Sequence, residues 1–242
     1  MNGSGYVRVL DCERAHTIEK MRTLAIGDIH GCHTSLTTLI REVRPASNDQ
    51  MIFLGDYIDR GPASRLVLDW MVAEQRLYSA VFLRGNHEVM ILEAHDDPLK
   101  ANLWQSYGGF ETLASYSVEY QTDWPPAIPE AHWKFLDRTI PFFETEKQIF
   151  VHACLDPDLE MNEQPAWLLY WEFFDRIQPH KSGKKIICGH SPQRSGQIRD
   201  LGFAACIDTG AAIGGWLTCL DADSGQYWQA NEKGETRKGL VG

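Results

Sequence analysis

The feature that most constrains this chain is a repeated punctuation. A short apolar run stops at a glycine-bracketed polar loop, and an apolar stretch of helical period follows. Thr23-Leu24-Ala25-Ile26 runs into Gly27, Met51-Ile52-Phe53-Leu54 into Gly55, and Ala80-Val81-Phe82-Leu83 into Arg84-Gly85. After the first loop, Leu36, Leu39, Ile40 and Val43 fall on one face of a helix. Pro62 stands where a second helix can begin, ahead of Leu66, Val67, Trp70 and Met71. A third apolar helix starts near Val89. Strand, polar loop and helix in succession predict a parallel α/β sheet.

Further along, strands are expected at Ile149–Val151, Ile186–Cys188, Ala204–Ile207, Trp216–Leu220 and Gln226–Gln229. The last three leave no room for helices between them, so they are expected to pair antiparallel. Residues 96–147 break the rhythm with Trp104, Tyr107, Phe110, Trp124, Trp133 and Pro125-Pro126, and read as a helical insertion with a proline-rich loop. Residues 1–21 carry no clear period and read as an extension or an edge strand. The expected organisation is that extension followed by one domain over 22–242.

Of 242 residues, 43% are hydrophobic and 23% charged, ordinary for a globular chain able to bury its own core. A net charge of -10 argues against a nucleic-acid-coating protein, which needs a basic face. No apolar run reaches membrane length, and the charges at residues 11–20 leave no export-signal core. Cysteines at 12, 32, 154, 188, 206 and 219 form no CxxC and read as reduced, buried thiols. The cytoplasm is the expected compartment.

In parallel α/β sheets ligands bind beyond the carboxyl ends of the strands, and here those ends carry metal-ligand residue types. The first gives Gly27-Asp28-Ile29-His30-Gly31. The second gives Gly55-Asp56-Tyr57-Ile58-Asp59-Arg60-Gly61, and the third Arg84-Gly85-Asn86-His87-Glu88. Two later ends give Val151-His152 and Gly189-His190. Any one could be a turn, a helix cap or a structural histidine. Together they form a mixed imidazole and carboxylate set that suits Mn, Fe, Zn or Co better than Ca or Mg alone.

These blocks resemble the three signature motifs of the phosphoprotein-phosphatase family, within the calcineurin-like metallophosphoesterases. Ile207-Asp208-Thr209-Gly210 further resembles its bacterial and phage branch. The resemblance runs from Gly27 to about Leu220. It implies an α-β-β-α sandwich of two mixed β-sheets flanked by helices, holding two divalent ions, most often Mn. On that resemblance Asp28 and His30 bind one ion, Asn86, His152 and His190 the other, and Asp56 bridges both. It also implies direct attack by a metal-bridging hydroxide on a phosphate monoester, with His87 as general acid oriented by Asp59, and Arg60 and Asn86 binding the phosphate. A second phosphate-binding arginine is expected between the late histidines, where Arg176 is the arginine available. Arg84 reads as structural. Asp208 reads either as support for a metal ligand or as a turn carboxylate.

Two rivals accompany the serine/threonine phosphatase reading. A dinucleoside polyphosphate hydrolase has the same blocks and would need an aromatic clamp for adenine, which Trp104, Tyr107 and Trp124 could supply. A non-catalytic scaffold would have no use for the whole polar set. The expected partner is a phosphorylated protein or a small phosphomonoester.

Overall fold

The computed structural model describes residues 21–74, 79–118 and 123–241. The extension expected over 1–21 lies outside these residues except for Met21. The first punctuated unit folds as β1 (Thr23–Ile26) and α1 (His33–Val43), the second as β2 (Gln50–Phe53) and α2 (Ser64–Glu74), the third as β3 (Ser79–Phe82) and α3 (Asn86–Ala94). The three strands pair in parallel, Ile26 beside Phe53 and Phe53 beside Phe82.

The insertion holds α4 (Pro98–Trp104), a π-turn (Gln105–Gly109), α5 (Phe110–Ser115), a 3₁₀ turn at Pro125–Ala127 and α6 (Glu130–Asp137). Beyond it come β4 (Phe142–Glu144), β5 (Gln148–Val151), α7 (Ala166–Trp171), β6 (Lys185–Cys188), β7 (Arg199–Asp200), β8 (Ala204–Cys206), β9 (Leu217–Asp221), β10 (Gln226–Ala230) and β11 (Thr236–Leu240). One sheet runs β11-β10-β9-β1-β2-β3 and the other β4-β5-β6-β8-β7.

One expected pairing is corrected. β9 and β10 are antiparallel, but β8 joins the other sheet, parallel to β6 with Ile187 opposite Ala205. The chain crosses between sheets at Gly210 and Gly214, both at positive φ around a 3₁₀ turn. That left-handed backbone lets a short connection change sheets.

The unbroken apolar runs are explained by two buried faces, with successive side chains going to opposite sides. Leu24 and Ile26 pack with the helices that cover the first sheet, whereas Ala25 faces the second sheet. On the second sheet Phe150 and Ile187 point inward, and Ile149, Val151, Ile186 and Cys188 pack outward with Leu169 of α7 and with Phe174. The result is an α-β-β-α sandwich. β4, β7 and β11 had no strong signal: they are short or edge strands, and β11 alternates half-buried with exposed residues. No helix among the described residues is long and apolar enough to cross a membrane.

Candidate metal centre

The loops after β1, β2 and β3 meet those after β5 and β6, and they do so through uncommon backbone. Among the described residues, seven non-glycine residues have positive φ, and five of them are His30, Asp56, Asp59, Arg60 and His190. Such conformations cost free energy and persist where surroundings over-determine them, typically at functional sites. Two glycines make room: a Cβ on Gly85 would overlap Asp56 Oδ1, and one on Gly189 would overlap Asp28 Oδ1. Glu88 ties the second loop to the third. Its buried carboxyl accepts from the backbone N–H of Asp56 (2.8 Å), Tyr57 (2.9 Å) and Gly85 (2.9 Å).

Asp56 lies at the centre. Oδ2 is 3.3 Å from His30 Nε2, and Oδ1 is 3.4 Å from His152 Nε2. Two donor groups therefore share one carboxylate: His30, Asp56 and His87 on one side, and Asp56, His152 and His190 on the other. Asn86 Oδ1 joins the second group, 3.0 Å from both His152 Nε2 and His190 Nδ1. Asp28 stands outside both groups, its carboxylate accepting the His190 backbone N–H at 2.9 Å.

Backbone carbonyls fix the tautomers. His30 Nδ1–H donates to Ile58 O (2.8 Å), His152 Nδ1–H to Leu54 O (2.9 Å) and His190 Nε2–H to Trp171 O (3.3 Å). The remaining nitrogen of each ring thus presents a lone pair toward Asp56 or Asn86. Lone pairs converging on acceptor oxygens repel unless a cation lies between them, so the donor set fits metal ions. On the His30 side, Arg60 Nη1 supplies positive charge, 2.9 Å from His30 Nε2.

Protonation agrees. Burial pushes His30 down to about 3 and His190 to about 4, and lowers His152, which leaves neutral imidazoles. Burial would raise Asp56, but the attraction it would have to His152, His87, His30 and His190 in their protonated forms outweighs it and holds the carboxyl well below its usual range; of the four, only His87 has a raised pKa of its own. Burial, then Asp208, push Asp28 well up, and burial takes Asp208 itself to about 7. Burial would lower His87 too, yet Asp56 and Asp59 outweigh it, and its pKa is raised.

His87 is fully buried, with Nδ1 2.6 Å from Asp59 Oδ2, while Nε2 is buried without a hydrogen-bond partner. Arg176 does not join the cluster: its exposed guanidinium pairs with Glu172 at 3.6 Å. Arg84 is structural, donating to Thr139 Oγ1 (2.9 Å) and Asp137 O (2.6 Å). Sequence reasoning gave no role to Glu88, Ser64 or Thr112 and offered Trp104 only as part of an adenine clamp; all four brace the site. Only Glu88 had a signal, at the capping-box position three residues after Gly85.

A sandwich with this polar centre defines a metal-dependent phosphoester hydrolase, and comparison with known proteins agrees. The calcineurin-like phosphoesterase family model matches residues 21–214, and the chain belongs to that family. It is 30% identical over 215 residues to serine/threonine-protein phosphatase 1 of Salmonella typhimurium, covering 80% of this chain and 88% of that protein. It is 25% identical over 228 residues to the asymmetrical bis(5'-nucleosyl)-tetraphosphatase PrpE of Anoxybacillus flavithermus, covering 81% and 88%. In fold it resembles a cold-active protein tyrosine phosphatase, with a TM-score of 0.61 at 14% identity over 90% of this chain and 79% of that one. The family implies divalent metals, and the His and Asp groups described here can hold them.

Proposed function

We propose that the protein is a dinuclear-metal phosphomonoesterase of the phosphoprotein-phosphatase type, acting on phosphoserine or phosphothreonine in proteins. The observation that carries this is Asp56, whose two oxygens are divided between two histidine-bearing donor groups. His30 with Asp56 and Asp28 would hold one ion, and Asp56, Asn86, His152 and His190 the other, with manganese suited to the mixed donors. For Asp28 to join, its carboxylate must turn from the His190 N–H toward His30. When bound, two such ions acidify water and neutralise charge on the phosphoryl oxygens.

The chain's own residues do the rest. Arg60, an exposed residue whose guanidinium lies against His30 at the edge of the centre, would grip the phosphate with its planar fork, and the Asn86 amide would bind it as well. His87, its Nδ1–H held by Asp59, presents Nε2 as the proton donor to the leaving alkoxide. Arg176 could assist only after leaving Glu172. The five described cysteines are free and buried, which suits a reducing compartment such as the cytoplasm.

The substrate assignment is supported by the fate of the aromatic clamp. Trp104 and Trp124 are 0% and 1% exposed and lie in the core, so of the three residues only Tyr107 is free to stack on a base. The test is a parallel assay of the manganese-loaded protein on a phosphoserine peptide and on diadenosine tetraphosphate, with His87→Asn as the control. Preference for the peptide is the expected result. Preference for the dinucleotide would overturn the substrate assignment, and turnover of neither would sink the enzyme reading.

A further inference from the structure

The insertion does more than cover the first sheet. Asp59 is fully buried, and three side-chain donors converge on its carboxylate. Oδ2 accepts from His87 Nδ1 (2.6 Å) and from the indole Nε1–H of Trp104 (2.8 Å). Oδ1 accepts the Thr112 hydroxyl at 2.6 Å. The same hydroxyl oxygen accepts the Asp59 backbone N–H (2.9 Å), and Ser64 Oγ lies 3.1 Å from that N–H. Trp104 and Thr112 are both 0% exposed and flank the π-turn. That turn reaches the same loop at Gly108, whose carbonyl accepts the Arg60 N–H at 3.1 Å. Gly109 is required there, because a Cβ would meet the Trp104 indole at 2.6 Å.

A buried carboxylate with one partner could swing or draw in water, whereas one fixed by three donors and by its own backbone cannot. The ring held by Asp59 is correspondingly fixed, with Nε2 buried and without a hydrogen-bond partner among the described residues. We propose that Trp104 and Thr112 are positioning residues for the proton donor: they lock Asp59, and through it the His87 imidazole, so that Nε2–H meets the leaving oxygen. This rests on the general-acid reading of His87 given above. It assigns the insertion a part in the chemistry, as the second wall of an acid dyad whose first wall is the β2 loop.

The test exploits leaving-group dependence. A poor leaving group such as phenolate needs its proton, and the more acidic 4-nitrophenolate departs with little help. Trp104→Phe removes the indole N–H and keeps an aromatic ring, while Thr112→Val removes the hydroxyl at similar volume. Each is expected to lower kcat on phenyl phosphate about tenfold more than on 4-nitrophenyl phosphate, with KM nearly unchanged, and Thr112→Ser should recover most of the loss caused by valine. His87→Asn should show the same bias more strongly. Equal losses on both substrates in the Trp104 and Thr112 variants, while His87→Asn keeps the bias, would overturn the clamp and leave the acid in place. No bias in His87→Asn would overturn the acid assignment and the clamp with it. Thermal denaturation of each variant separates a folding defect, which would depress both substrates alike.

Discussion

The strand-end loops and the inserted helical segment both touch the same centre, but they do so with different chemistry. The loops after β1, β2, β3, β5 and β6 bring donor atoms and strained backbone, with five positive-φ residues and two glycines that leave room for carboxylates. The insertion adds no residue to the two metal-donor groups, and its one described non-glycine residue at positive φ, Ser117, belongs to neither. The insertion's contribution is packing and hydrogen bonds to residues that the loops already hold: Trp104 and Thr112 on Asp59, the Gly108 carbonyl on Arg60. Elements that supply reactive atoms are over-determined, whereas elements that support them are built like ordinary core. A substitution in the first class should destroy activity with little change in the fold. One in the second should first cost stability.

The largest expected effect lies in the loops. Asp56→Asn removes charge from the carboxylate shared by both donor groups, and kcat/KM should fall by about 10³-fold or more, with the fold retained by circular dichroism. Gly189→Ala is next. Its Cβ would overlap Asp28 Oδ1, and steady-state kinetics with a metal titration should show activity and ion affinity down by about 10–100-fold. Trp124→Ala, in the insertion, should reverse the balance. It empties a core position beside Trp104 (ring centroids 4.7 Å apart) and should cost about 3–5 kcal/mol in urea unfolding, with far less effect on kcat of the folded, metal-saturated enzyme. A Trp124 variant as dead as Asp56→Asn but equally stable would break the comparison.

The smallest effect is one of pH, again in the insertion. His132 bridges Tyr116 OH (2.7 Å) and Asp69 (3.0 Å), and burial lowers its pKa despite the nearby Asp69. A histidine lowered in the fold stabilises it while neutral. That contribution is complete above the unfolded value of about 6.5 and is lost as pH falls below it. The thermal midpoint should therefore drop on acidification through about pH 6, and drop less in His132→Gln.

This asymmetry also sets what the sequence could tell. The three parallel strands and their loops were legible because each motif is contiguous: an apolar run, a glycine, then Asp28, Asp56 or Asn86 in a fixed short register. The later strands at β5 and β6 were legible for the same reason. The sheet change at β8 was not, because it depends on two left-handed glycines and not on apolar period. Trp104 read as an insertion aromatic or part of an adenine clamp and Thr112 carried no signal; their partner, Asp59, is 45 and 53 residues away along the chain. Arg176 shows the converse, a residue chosen by interval that the fold pairs with Glu172.

The central claim is that one carboxylate joins two metal sites. The most direct measurement is the metal content of manganese-loaded, desalted protein by inductively coupled plasma mass spectrometry, wild type beside Asp56→Asn. The account predicts close to two ions per chain in the wild type and fewer than one in the variant. A wild type that retains one ion or none, or a variant that still retains two, would contradict it.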